Sequence, residues 1–199
     1  MIYGLLLAAG TSSRMGQLKQ LLDWHGPPMV RHVAQQALAS NLTGLVAVVG
    51  AAADRVQAAL ADLEITVVTN PDYVTGQASS LRAGLHAVPV TVDAVVVLLA
   101  DQPLVTSALI NTLVATFQQE RAMAAPGPVA VIPCYRGQRG NPVLLARALF
   151  PELQQVQGDV GARAVLQRYA AQIRRLDTTD PAVISDIDTL EAYERQKEP

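Results

Sequence analysis

Over its first 120 residues the chain alternates four short apolar runs with four helical stripes, a pattern that few folds accommodate. Residues 2–8, 45–49, 65–68 and 94–99 are apolar on both faces, as strands of a parallel sheet covered on both sides must be. Between and after them, Val30, Val33, Ala34, Ala37 and Leu38 fall on one helical stripe, and Val56, Ala59, Leu60 and Leu63 on a second. Ala78, Leu81, Leu85 and Val88 form a third, and Ile110, Leu113, Val114 and Phe117 a fourth. Right-handed crossovers make parallel pairing the default for such an alternation, so it predicts an α/β fold with a doubly wound, mostly parallel sheet. In such sheets ligands sit at the carboxyl ends of the strands.

The second half is less regular. Residues 129–133 and 142–145 read as strands separated by the turn-rich stretch 136–141, which predicts a small β-hairpin inserted over the mouth of the site. Ala162, Val165, Leu166 and Tyr169 fit a helix with Asp159 as its N-cap. Residues 173–176 fit a returning strand and 189–195 a closing helix. No repeat, linker or low-complexity segment divides the 199 residues, so a single domain over 1–199 is expected.

Composition narrows the function classes. Half the residues are apolar and only 16% are charged, with a net charge of −2, which suits a folded chain and supplies no basic field for nucleic acid. Aromatic residues make up 4%, too few for base-stacking platforms. The single cysteine, Cys134, can form neither an internal disulfide nor a zinc knuckle, and it points to a reducing compartment. The longest uninterrupted apolar run, 94–100, is far too short to span a bilayer. A cytoplasmic protein without nucleic-acid or membrane partners is expected.

Residues 7–19 read Leu-Ala-Ala-Gly-Thr-Ser-Ser-Arg-Met-Gly-Gln-Leu-Lys. A turn rich in glycine and hydroxyls directly after an apolar strand lets backbone N–H groups approach phosphate oxygens, with Arg14 and Lys19 as positive charges. Neither G-x-G-x-x-G nor G-x-x-x-x-G-K-[ST] is present, which removes the Rossmann dinucleotide fingerprint and the P-loop. Of fifteen basic residues only Lys19 and Lys197 are lysines, so Lys19 stands apart in a chain that otherwise uses arginine.

The pattern L-A-A-G-x-S-x-R-M-G-x-x-K resembles the signature loop of the MobA-like nucleotidyltransferases. Gly76-Gln77-Ala78-Ser79-Ser80-Leu81-Arg82-Ala83-Gly84-Leu85, Leu99-Ala100-Asp101-Gln102-Pro103, Gly158-Asp159-Val160-Gly161-Ala162-Arg163 and Asp186-Ile187-Asp188-Thr189 are similar to stretches of that family's cytidylyltransferase branch, in order along nearly the whole chain. The resemblance implies a Rossmann-like nucleotidyltransferase fold with a nucleotide-binding half near 1–105 and an acceptor-binding half near 106–199. It also implies CMP transfer from CTP to molybdopterin, the organic part of molybdenum cofactor, with Mg²⁺ and release of pyrophosphate. A molybdoenzyme or its chaperone would be the receiving partner. Guanylyl transfer from GTP, transfer to a sugar or polyol phosphate, and non-catalytic escort of the cofactor are the alternatives.

On this reading Leu7, Ala8, Ala9, Gly10, Arg14, Lys19, Gly76, Ser79 and Ser80 bind the nucleotide, and Lys19 and Arg14 steady charge on the transferred phosphate. Ser79 and Ser80 suit either a pyrimidine contact or the cap of the third helix. Asp101, at the end of the fourth strand, is the first metal ligand by resemblance. Asp188 is the second, with Asp186 as the competing choice because alternate residues of an extended segment point the same way. Asn141 and Arg163 are the acceptor candidates. His25, His32 and His86 are scattered over a loop and two helices and are assigned no chemistry.

Overall fold

The structure is a computed structural model that describes residues 1–11 and 15–197. Its first half follows the expected alternation: β1 (Ile2–Ala8), α1 (Met29–Leu38), β2 (Gly44–Val49), α2 (Ala53–Leu60), β3 (Thr66–Thr69), α3 (Gln77–Ala87), β4 (Ala94–Leu99) and α4 (Ser107–Met123). The second half holds β5 (Ala130–Tyr135), β6 (Gln138–Arg139), β7 (Val143–Ala146), α5 (Phe150–Leu153), α6 (Arg163–Arg168), β8 (Ile173–Thr178) and α7 (Leu190–Lys197).

The strands form one sheet in the order β3-β2-β1-β4-β7-β5-β6, with β8 pairing β5. β1, β2, β3 and β4 are mutually parallel, with Leu7 beside Leu99 at the carboxyl end of β1 and β4. Alternation along each strand feeds two cores. Leu6, Ala47, Val49 and Val96 face a cluster closed by Val33 of α1, Leu60 of α2 and Ile110 and Phe117 of α4. Leu5, Val46, Val48 and Val95 face Leu81 and Leu85 of α3, Phe150 of α5 and Leu166 of α6. Helices thus cover both faces of the sheet, and this is the physical reason the strands carry no polar alternation.

The hairpin is present, but its returning arm is not a flap over the mouth. β7 enters the main sheet and pairs antiparallel with β4 on one side and β5 on the other. The expected N-cap of α6 is also corrected. Asp159 lies in a short 3₁₀ turn, Gly158–Val160, and its carboxylate accepts from the Gln77 N–H at the start of α3 (3.2 Å). α6 begins after Ala162 with no side-chain cap. The carboxylate serves the helix it meets in space, an outcome decided by tertiary packing.

A third, smaller cluster holds the end of the chain. Buried Trp24, Met29 and Ile187 pack together against Leu22, Leu104 and Tyr193, and the Tyr193 hydroxyl donates to the Asp23 carbonyl at 2.5 Å. No helix among the described residues is long and apolar enough to cross a membrane.

Candidate active site

Two adjoining clefts open at the carboxyl ends of the parallel strands. The first, of about 600 Å³, runs from Leu7, Ala8, Ala9 and Gly10 past Lys19 to Asp101 and Asp188. Gly76 and Ser80 of the α3 entry form its other side. The second, also about 600 Å³, has an apolar floor that includes Leu81, Ile132 and Leu145, and a polar edge of Arg139, Asn141 and Arg163. Leu7, Leu99, Gln77 and Asp159 line both clefts and therefore form the wall they share.

Lys19 is the electrostatic centre of the first cleft. Its ammonium donates to Asp101 Oδ2 at 2.6 Å and Asp188 Oδ1 at 2.7 Å. Burial disfavours the charge on Lys19, but attraction to Asp101 and hydrogen bonds to both aspartates outweigh it, and the net shift of its pKa is upward. Neighbouring Gln20 is buried, and its amide donates to the Gly10 carbonyl at 2.9 Å, which ties the loop after β1 to the segment that carries Lys19.

Asp188 reaches this centre through its neighbour. The Ile187 N–H donates to the Asp101 carbonyl at 2.9 Å while its side chain is fully buried against Trp24 and Met29. Asp188 is thereby held against Lys19, whereas Asp186 turns to buried Gln102, whose amide donates to it. Asp188 lines the cleft and Asp186 does not. Burial, followed by the Asp101 charge, raises the Asp186 pKa, with the Gln102 hydrogen bond acting against the shift.

The metal-holding capacity of this corner is modest and specific. Among the described residues no cluster of three or more His, Cys, Asp or Glu side chains is placed to hold an ion. One carboxylate oxygen, Asp101 Oδ1, is buried and has no hydrogen-bond partner among the described residues. A desolvated, unpaired anionic oxygen is costly. A divalent cation that takes one or two carboxylates and completes its shell with phosphates and water would satisfy it.

The structure separates the two serines. Ser80 lines the cleft, whereas the Ser79 hydroxyl is turned into the wall, where it donates to the carbonyls of Asp72 and Gly76 (3.0 and 2.8 Å). Gly76 must be glycine. Its φ is +109°, and a Cβ there would lie 2.5 Å from the Gly158 carbonyl carbon and 2.6 Å from Asp159 Oδ1. Asn141 and Arg163 both edge the second cleft, and the Asn141 N–H is anchored to the Val183 carbonyl at 2.8 Å. Arg14 lies outside the described residues. Sequence reasoning passed over Gln77, Asp159 and Tyr73 as lining residues; the first two stand inside stretches already singled out, and Tyr73 carried no signal.

The model of the MobA-like NTP transferase domain matches residues 4–173 of the chain. The chain is 32% identical over 197 residues to nicotine blue oxidoreductase of Paenarthrobacter nicotinovorans, across 98% of this chain and 95% of that protein. It is 26% identical over 198 residues to molybdenum cofactor cytidylyltransferase of Escherichia coli strain K12, across 98% and 94%. The crystal structure of Rv0371c from Mycobacterium tuberculosis H37Rv is similar with a TM-score of 0.84 at 29% identity, covering 100% of this chain and 98% of that one. Its complex with manganese gives a TM-score of 0.79 at 28% identity, covering 98% and 96%.

Proposed function

The chain belongs to the MobA-like NTP transferase family, and from that premise we propose that it transfers CMP from CTP to molybdopterin, using Mg²⁺ and releasing pyrophosphate. The observation that carries this reading is the pair of clefts with a common wall: one has a lysine and two aspartates at its end, the other an apolar floor edged by two arginines and an asparagine. The first suits a triphosphate, and the second an acceptor with a flat organic body and an anionic group. The Escherichia coli relative is named for this transfer, and the manganese complex of Rv0371c supports a divalent ion at the same fold.

In the reaction a phosphate oxygen of the acceptor forms a bond to the α-phosphorus of CTP as the bond to the bridging oxygen breaks, and the electron pair leaves on pyrophosphate. Ala9 and Gly10 present the backbone of the loop after β1 to the phosphates, and Lys19 and Arg14 hold the negative charge that builds on the α-phosphate and leaving group. Asp101 and Asp188 would hold Mg²⁺, Asp101 through its unpaired Oδ1. Bound there, Mg²⁺ supplies Lewis-acid stabilisation of phosphate charge. Asn141 and Arg163 orient the acceptor, and Ser80 meets the base.

The test is pyrophosphate release with Mg²⁺ from CTP, GTP and ATP in turn, with and without freshly prepared molybdenum cofactor. Cofactor-dependent release from CTP alone is expected. Release from GTP would move the protein to guanylyl transfer, and release with sugar or polyol phosphates only would replace the acceptor. Binding of nucleotide and cofactor without any release would support the escort reading.

A further inference from the structure

The wall of the first cleft contains a hydrogen-bond relay whose direction is fixed. Asn70, one residue beyond β3, is 3% exposed. The Asp72 N–H donates to Asn70 Oδ1 at 3.0 Å, and because a backbone N–H has only a proton to offer, this contact identifies the carbonyl end of the amide. Nδ2 therefore faces α3 and donates to Ser79 Oγ at 2.8 Å and Ser80 Oγ at 3.0 Å. Ser79 uses its own proton on the carbonyls of Asp72 and Gly76. Ser80 accepts from Asn70, donates to no protein group among the described residues, and lines the cleft while being 5% exposed. With one of its two lone pairs taken from behind, its proton is kept off Asn70 and stays available to the cleft.

We propose that Asn70 is a specificity-determining positioning residue that, by occupying one Ser80 lone pair, biases the Ser80 hydroxyl toward donating to the nucleotide base. This rests on the reading of the first cleft as a nucleoside triphosphate site. A hydroxyl so biased favours an edge that offers a lone pair, as cytosine does at O2 and N3, over one that offers N–H, as guanine does at N1 and N2. A hydroxyl free to rotate would make no such distinction, since it donates or accepts to suit its partner. Sites built to hydrogen-bond one pattern reject its reverse because buried polar groups are then left unpaired.

A purely structural Asn70 would affect stability and leave base preference alone, so the experiment reads a ratio. Dissociation constants for CTP and GTP are measured by calorimetry with Mg²⁺ on the full chain carrying Asn70→Asp, Asn70→Ala or Ser80→Ala. Asn70→Asp supplies an acceptor behind Ser80 and turns its proton inward; Asn70→Ala frees the rotor. The preference for CTP is expected to fall by about fivefold or more in each Asn70 variant, the scale of one hydrogen bond. Adding Asn70→Ala to Ser80→Ala should change the ratio no further. The ratio is set by folded molecules alone, so partial unfolding of one variant does not mimic the effect.

An unchanged ratio in both Asn70 variants, with nucleotide still bound, would overturn the proposal and leave the nucleotide reading standing. A wild-type chain that binds no nucleoside triphosphate would overturn both. A wild-type preference for GTP would overturn both the choice of CTP and the direction assigned to Ser80.

Discussion

The Lys19 ammonium lies 2.6 Å from Asp101 Oδ2, on the same carboxylate whose other oxygen is buried without a partner among the described residues. One side chain thus faces a fixed cation on one oxygen and is left open on the other. On the proposed reading this would divide the work between a resident charge and an incoming ion.

Lys19→Met should lower turnover by about 10²- to 10³-fold, the usual cost of removing a preorganised donor to transition-state charge. The melting temperature should move little in comparison, because a partly exposed ion pair contributes modestly to folding. Steady-state pyrophosphate release and a thermal melt check both halves, and near-wild-type turnover would remove Lys19 from the mechanism.

The same lysine gives a pH signature. Its folded pKa is raised above the ordinary 10.5, so the stability it contributes is complete below pH 10.5 and is lost as pH rises through the folded value. Alkaline denaturation of the wild type should therefore steepen above pH 10.5 relative to Lys19→Met. Parallel curves would show that the ion pairs do not contribute to folding.

Asp188→Asn should raise the Mg²⁺ concentration needed for half-maximal activity by about tenfold or more, on the scale of perturbed metal sites. Asp186→Asn should raise it less, since Asp186 is engaged by Gln102 outside the cleft. Metal titrations of the two variants decide the order, and the reverse ranking would exchange their roles.

Gly76→Ala places a Cβ at a positive φ and within 2.6 Å of the Gly158 carbonyl, backbone that cannot swing aside as the Asp159 carboxylate could. A loss of about 1–3 kcal/mol is expected from the backbone conformation alone. Chemical denaturation measures it. Wild-type stability would mean that the turn at Gly158 is not seated on α3 in solution.

Much of this was readable from residue order. The strands of the parallel core were legible because both of their faces are buried, which gives runs such as Ala94–Leu99 no polar member. Lys19 was legible by its rarity and Asp101 by its place at a strand end. What the sequence withheld depends on long-range packing. Asp186 and Asp188 look equivalent as alternate residues, and only the Ile187 N–H bond to Asp101, with Trp24 closing over Ile187, assigns them different neighbours. Asp159 has the local look of an N-cap and caps a helix 82 residues earlier in the chain. Asn70 carried no reading in the sequence, because the serines it hydrogen-bonds are brought to it only by the β3–α3 connection.

The wall of Leu7, Gln77, Leu99 and Asp159 has a kinetic consequence. If transfer joins the occupants of the two clefts as proposed, the product would be a tethered ligand whose halves each raise the local concentration of the other. It should bind about 10²- to 10⁴-fold more tightly than the weaker of its parts. Turnover would then be governed by departure of the finished molecule, visible as a burst of pyrophosphate in the first cycle and as strong inhibition by added product. A receiving protein that draws the product out of the second cleft would accelerate the enzyme without touching its chemistry.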